Sequence, residues 1–240
     1  MNRANIDEYR RDGFAVIRGV FTPGEVAELQ AAFNRIYTEG RKHPKTYRHG
    51  NTLYRISDDP GLGRIMRLMQ WPSYFEPVLN RFRLDRRMLK IFEPLIGRNL
   101  KQIINQLHWK PPGAAMVEFG YHQDIRFRRP RAAYRNAGDS YVQSGIAVDP
   151  HRRVNGAMMM IPGSHRLGEL AFGHEGQIMQ RIMTDEDLRH AGIDPTRAVP
   201  LELDPGDVAI WHLYCVHGSG PNLSAVDRRL YINGYVTAEN

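Results

Sequence analysis

A change of texture near Leu100 limits most what this chain can fold into. Upstream of it, apolar residues recur at helical spacing. Thr22-Pro23-Gly24-Glu25 has the form of a capping box with proline at the first helical position. Val26, Leu29, Phe33 and Ile36 follow at steps of three and four, with Gly40 as a stop. Shorter stripes come next: Leu62, Ile65, Met66 and Met69; then Phe75, Val78, Leu79 and Phe82; then Met88, Ile91, Phe92 and Leu95, closed by Gly97. They read as core faces of helices with no chemistry of their own. Downstream, short β-prone runs alternate with Gly/Pro turns. The expected strands are Gln102–Trp109, Tyr141–Val148, Ala157–Ile161, Val199–Leu203, Val208–Tyr214 and Leu230–Val236, with Pro205-Gly206-Asp207 as a tight turn. In the last run Tyr231, Asn233 and Tyr235 alternate with Leu230, Ile232, Gly234 and Val236, so one face can be buried. Helices first and strands afterwards predict an α+β, mainly β protein, a helical layer on a β-sandwich or barrel.

At 240 residues the chain can bury one sizeable core, and we expect a single domain over 1–240: helical over about 1–99, barrel over about 100–240. Residues 163–197 are polar and Gly-containing. They read as an insertion over one mouth of the barrel, with a short helix opened by Thr184 and Asp187. Apolar content of 42% and charged content of 25% are those of an ordinary soluble globular protein. No apolar run is long enough to span a membrane. The first residues lack the apolar stretch of a secretory signal, and a single cysteine, Cys215, excludes an internal disulfide framework. The expected location is the cytoplasm. The net charge of +7 is carried mainly by arginine, with lysine only at positions 42, 45, 90, 101 and 110. It serves solubility, or sets up a field that favours anionic small molecules. The charges are scattered and no zinc-finger, RRM or KH pattern occurs, so no nucleic-acid partner is expected.

Three features carry chemistry. In His122-Gln123-Asp124, residues i and i+2 of an extended segment point to one side, so an imidazole and a carboxylate can reach one ion. Two histidines and a carboxylate on one face leave positions open for cosubstrate and O2, the non-haem Fe(II) arrangement. The second histidine comes from Trp211-His212-Leu213-Tyr214-Cys215-Val216-His217-Gly218-Ser219-Gly220-Pro221-Asn222. On spacing alone either His212 or His217 could turn inward. Third, Arg228, ahead of Arg229, could hold a carboxylate by two parallel hydrogen bonds. Each feature alone also fits a surface or core residue without function.

Together these motifs resemble the phytanoyl-CoA dioxygenase family. The likeness is carried by Asp12-Gly13-Phe14-Ala15-Val16-Ile17, Lys110-Pro111-Pro112-Gly113, His122-Gln123-Asp124, Asn155-Gly156-Ala157-Met158-Met159-Met160-Ile161-Pro162-Gly163-Ser164-His165, His217-Gly218-Ser219-Gly220-Pro221-Asn222 and Arg228-Arg229, in the family's order from about residue 9 to 236. The resemblance implies a double-stranded β-helix, the jelly-roll or cupin-like barrel, with Fe(II), 2-oxoglutarate and O2 as the reacting set. It implies His122, Asp124 and His217 as iron ligands. It favours His217 over His212 because the family's oxoglutarate arginine lies eleven residues past the distal histidine, which is Arg228 here. Ser219 matches a hydroxyl that also touches the oxoglutarate, and His108 falls where relatives place a polar oxoglutarate contact. His165 and Arg229 read as structural; Cys215 shares strand parity with His217, so it could lie near the metal, and reads as a small core residue rather than a ligand.

The implied activity is hydroxylation of an unactivated C–H. Desaturation, epimerisation or cyclisation would use the same residues. Asp124 argues against a halogenase, because halide-binding relatives carry a small residue there. Ile125-Arg126-Phe127-Arg128-Arg129-Pro130-Arg131 is unusually basic where relatives begin the substrate pocket. It is either a solvated loop or a site for a small anionic substrate, free or linked to a carrier or CoA. Arg126, Arg128 and Met158 are the candidate substrate residues. Two rivals stay open: a metal-dependent barrel enzyme that does not use 2-oxoglutarate, and a barrel that binds a small molecule without catalysis.

Overall fold

The fold is taken from a computed structural model that describes residues 1–114, 117–172 and 178–240, and of residue 180 the backbone alone. Helices α1 (Arg3–Asp12), α2 (Pro23–Gly40), α3 (Pro77–Arg83) and α4 (Arg86–Ile96) precede most of the sheet. The α2 start is built as its sequence suggests: Thr22 Oγ1 accepts from the Glu25 backbone N–H at 3.4 Å, and Glu25 Oε2 accepts from the Thr22 N–H at 2.8 Å. The helix ends at Gly40, where a Cβ would run into the Met66 side chain. Its face of Val26, Leu29, Ala32, Phe33 and Ile36 is buried. Each large apolar side chain there contributes on the order of 1.5–3 kcal/mol by leaving water.

Twelve strands form two antiparallel sheets among the described residues. The larger contains β1 (Phe14–Ile17), β2 (Tyr47–His49), β3 (Thr52–Asp59), β4 (Gly63–Gln70), β5 (Leu100–Lys110), β7 (Tyr141–Ala147), β10 (Val208–Trp211) and β12 (Arg228–Thr237), in the order β1-β10-β7-β12-β5-β4-β3-β2. The smaller contains β6 (Phe119–His122), β8 (Met158–Met160), β9 (Val199–Pro200) and β11 (His217–Ser219), in the order β6-β11-β8-β9. Two short helices, α5 (Ala137–Ser140) and α6 (Asp185–His190), lie between strands. This is the jelly-roll arrangement. Among the described residues, no helix is long and apolar enough to cross a membrane.

Strand parity sorts the core. Leu107, Trp109, Val142, Ile146, Val208, Ile210, Tyr231 and Tyr235 pack with the helices. Their neighbours Ala147, Ala209, Trp211, Leu230 and Ile232 pack with Met158 and Met160 of the smaller sheet. The last strand is therefore buried on both faces, where one buried face was expected.

The helical reading of residues 1–99 needs correction, since β1 to β4 lie inside it. The stripe Leu62, Ile65, Met66 and Met69 is strand β4. Arg55 pairs with Leu68 and Ile56 with Met66, so Arg67 is an extra, bulged residue. The bulge brings Met66 and Met69, three apart, onto the helix-facing side. A strand with one bulge thus imitated helical spacing. The segment 163–197 lies partly outside the described residues, at 173–177. Its Leu188 and Ile193 pack on Tyr121, Met159 and Val216, so the insertion covers the outer face of the smaller sheet, whereas Met179 reaches the cavity of the barrel.

Candidate metal centre and cosubstrate pocket

Strand β6 ends on His122, and Gln123 stays extended (φ −113°, ψ 140°), so His122 and Asp124 face one way. His217 opens β11 directly opposite His122 in the ladder, with the two rings 4.4 Å apart. Asp124 Oδ1 lies 3.9 Å from His122 Nε2 and 4.0 Å from His217 Nε2. One donor atom from each residue lies within 4.8 Å of the others, and all three residues are buried. These separations are too long for hydrogen bonds and close enough for one ion to be shared.

The protein fixes which atoms face inward. His122 Nδ1–H donates to the Gly120 carbonyl at 2.7 Å, and His217 Nδ1–H to the Cys215 carbonyl at 3.0 Å. A carbonyl only accepts, so each ring carries its proton on Nδ1 and offers the Nε2 lone pair. Burial, then the nearby His217 ring, pulls His122 down to about 3, which keeps it neutral. For Asp124, burial pushes the carboxyl upward, but His217, Arg128 and His122 and the Trp211 hydrogen bond together hold it below its ordinary value. Trp211 Nε1–H donates to Asp124 Oδ2 at 2.9 Å. Two imidazoles that present Nε2 and one carboxylate form a donor set that suits Fe(II).

Arg228 opens β12 opposite Lys110 of β5. It is 2% exposed, and its Nε and one terminal nitrogen donate to the Gly156 carbonyl at 3.1 and 2.8 Å. Gly156 adopts φ +76°, and a Cβ there would lie 2.6 Å from Gly220 O and 2.8 Å from Pro221 O. No other residue fits that turn. Ser219 Oγ accepts from Lys110 Nζ at 2.7 Å. Asn222 Nδ2 donates to the Lys110 carbonyl at 2.7 Å. The motifs around Gly156 and Gly220 thus assemble one end of the site. Burial lowers Arg228 to about 10 and pushes Lys110 well down. His108 donates from Nε2 to Gln106 Oε1 at 3.1 Å, and burial beside Arg228 lowers it to about 3.

His122, Asp124, His217, Ser219, Arg228, His108, Met158 and Arg128 line one cavity of about 370 Å³. His212 is elsewhere. It packs beside Tyr9 and His165 and accepts from the Tyr214 N–H at 3.0 Å. Cys215 is buried in the core between the sheets, where burial pushes its thiol up to about 12. Arg126 is the expected substrate residue that does not line this cavity. It faces a neighbouring groove with Gln123, Ile125 and Arg129. Residues 124–127 form a 3-10 turn, in which i and i+3 eclipse. Asp124 and Phe127 therefore share the cavity side and Arg126 turns away.

Several site residues escaped the sequence reading. Leu53, Arg55, Leu68 and Gln70 wall the cavity from β3 and β4. A helical reading of that segment hid them. Gln106 could have been found, because it shares parity with His108 on β5. Trp211 and Gln143 had no local signal.

The family model described as Phytanoyl-CoA dioxygenase (PhyH) matches residues 9–230. A probable alpha-ketoglutarate-dependent hypophosphite dioxygenase of Stutzerimonas stutzeri is 26% identical over 238 residues, covering 97% of this chain and 77% of that protein. The peroxisomal phytanoyl-CoA dioxygenase of Mus musculus is 25% identical over 220 residues, 89% of this chain and 62% of that protein. Among solved structures, EctD from S. alaskensis with bound Fe aligns with a TM-score of 0.75 at 21% identity, over 100% of this chain and 78% of that one, a likeness of fold.

Proposed function

The chain belongs to the phytanoyl-CoA dioxygenase family and is a 2-oxoglutarate-dependent non-haem iron dioxygenase, and on that premise we propose that it hydroxylates an unactivated C–H of a small anionic metabolite or natural-product intermediate. The observation that carries this reading is the convergence of His122 Nε2, His217 Nε2 and Asp124 Oδ1 on a cavity that also holds the buried Arg228.

Each residue has a role that its geometry suits. His122 and His217 bind iron through Nε2, and their Nδ1–H bonds to carbonyls set the ring planes. Asp124 binds through Oδ1, while Trp211 holds Oδ2. Arg228 and Ser219 grip the distal carboxylate of 2-oxoglutarate. Among the described residues, Arg228 hydrogen-bonds only to the Gly156 carbonyl. A buried guanidinium with one neutral acceptor calls for an anion. That favours this reading over a barrel enzyme without 2-oxoglutarate, which would have no use for Arg228. His108, held neutral, offers a polar contact to the cosubstrate without competing for its charge. Ile104, Leu230, Ile232 and Phe127 supply the apolar walls that keep water from the reacting centre.

When bound, Fe(II) with 2-oxoglutarate and O2 supplies an oxidant able to take hydrogen from an unactivated C–H. The reaction balances as substrate C–H, 2-oxoglutarate and O2 giving substrate C–OH, succinate and CO2. The test is anaerobic addition of Fe(II) and then 2-oxoglutarate to the purified protein. A weak visible charge-transfer band that needs both components is the expected result. A spectrum indifferent to 2-oxoglutarate would return the protein to the class of barrel enzymes that work without it.

A further inference from the structure

We propose that Arg128, backed by Tyr141 and Gln143, anchors an anionic group of the primary substrate, so that the substrate is a small oxyanion-bearing molecule held at the end of the cavity opposite Arg228. This rests on the metal-site reading above.

Register places the two arginines apart. Arg228, Leu230, Ile232 and Gly234 share one face of β12. Lys110 lies opposite Arg228, whereas Gly234 lies between Ile104 on one side and Gln143 on the other. Six residues of strand at ~3.3 Å each separate these ends by roughly 20 Å. The metal ligands lie away from the Arg228 end, toward Gln143. Ser219 pairs with Met158 at the Arg228 end, and His217 is two residues further along. Asp124 is held by Trp211, which pairs with Gln143. A cosubstrate that reaches from Arg228 to the metal leaves the Gln143 end to another molecule.

That end is built for an anion. Arg128 is 5% exposed and lines the cavity. One terminal nitrogen donates to the Tyr141 hydroxyl at 2.6 Å, the guanidinium lies 5.1 Å from the Tyr141 ring centre, and among the described residues Nε has no partner. The Tyr141 hydroxyl donates a hydrogen bond to Gln143 Oε1, and Gln143 also lines the cavity. Gly234 leaves the room these groups occupy, since a Cβ there would lie 2.7 Å from the Tyr141 hydroxyl. Arg229, by contrast, grips both oxygens of Asp149 through its Nε and a terminal nitrogen at 2.7 Å. Among the described residues Arg128 has no carboxylate within salt-bridge distance. The carboxylate that acts on its charge is Asp124, which belongs to the metal set. Burying a charge without a paired counter-charge is costly unless a ligand supplies one.

Size narrows the substrate further. A cavity of about 370 Å³ is near the low end of the ~300–1,000 Å³ typical of ligand pockets, and 2-oxoglutarate takes part of it. A coenzyme A thioester cannot be enclosed in what is left. Ile104, which pairs with Gly234, and Ile232, two residues before Gly234, line the cavity toward this end, so an apolar body spans from the anion to the metal.

Calorimetric titration under anaerobic conditions tests this, using protein saturated with Fe(II) and 2-oxoglutarate so that the Arg228 end is filled. The probes are propylphosphonate, butyrate and the neutral butyramide. Saturable binding of at least one anion is expected, with no measurable butyramide binding; the tighter anion tells a phosphorus oxyanion from a carboxylate. Arg128→Gln should weaken that binding by about tenfold or more, and Arg128→Lys by less, because lysine keeps the charge and loses the fork. Affinity for 2-oxoglutarate should stay put in both variants, which also shows that they fold. No anion binding to the parent protein, equal binding of butyramide, anion affinity indifferent to Arg128→Gln, or a parallel loss of 2-oxoglutarate affinity would each overturn the proposal. Failure of the metal-site reading looks different: the parent protein itself would not bind 2-oxoglutarate in an iron-dependent way.

Discussion

Trp211 Nε1–H donates to Asp124 Oδ2 at 2.9 Å, and this leaves Oδ1 as the carboxylate oxygen turned toward both histidines. The indole is 1% exposed, so the bond is sheltered from water. Trp211→Phe keeps the ring packing and removes the donor. Fe(II) affinity should fall by roughly 10–100-fold, as for other outer partners of metal ligands. Direct metal titration of the variant checks this, and an affinity equal to the parent's would show that Asp124 needs no such support.

His217 and His212 are five residues apart and their environments differ completely. His217→Ala should abolish iron-dependent succinate formation. His212→Ala removes a ring packed beside Tyr9 and His165 and should cost stability while retaining much of the turnover. Succinate release and a thermal melt of each variant separate the two roles. The reverse pattern would transfer the ligand role to His212.

Arg228→Ala should raise the KM for 2-oxoglutarate by roughly 10–100-fold, the equivalent of the ~1.5–3 kcal/mol of a hydrogen bond to a charged group. Iron affinity should hold, because no metal donor is touched. Steady-state kinetics with varied 2-oxoglutarate give the answer, and an unchanged KM would remove Arg228 from the cosubstrate site.

The start of α2 makes a pH-dependent contribution to stability. Arg87, and then the Thr22 N–H, hold Glu25 down to about 2, below its ordinary 4.5. A depressed carboxyl stabilises the fold above its unfolded value and loses that contribution as pH falls, here between about 4.5 and 2. The Glu25 side chain is 28% exposed, so solvent screens part of the interaction. Glu25→Gln should therefore cost about 1–2 kcal/mol near neutrality, from the lost cap and pair together. Urea midpoints at pH 7 and pH 2.5 should show the gap between parent and variant closing in acid. A gap that stays constant would mean the carboxylate charge is irrelevant to the cap.

How much of the site was legible can be followed residue by residue. The i, i+2 spacing of His122 and Asp124 is a local property of an extended segment, and it survives into the structure. The caps of α2 at Thr22 and of α6 at Thr184 are local too, and both form as written. Family order linked His217 to Arg228. Local chemistry could not rank His217 against His212; the family resemblance favoured His217, and the ladder sets it opposite His122.

By itself the sequence determined the donor types, the helix caps and the strand parities, because each depends on residues within a few positions of one another. Tertiary structure decided the rest. Pairing with β3 gave β4 its bulge at Arg67 and turned an apparent helix into a cavity wall. A single 3-10 turn sent Arg126 out of the pocket and kept Phe127 in it. The Trp211 indole reached Asp124 from a strand eighty-seven residues away. The two ends of the cavity became opposite ends only once Gly234 settled between Ile104 and Gln143. These are long-range registers, fixed by the burial of both sheet faces at once, and no short window of sequence contains them.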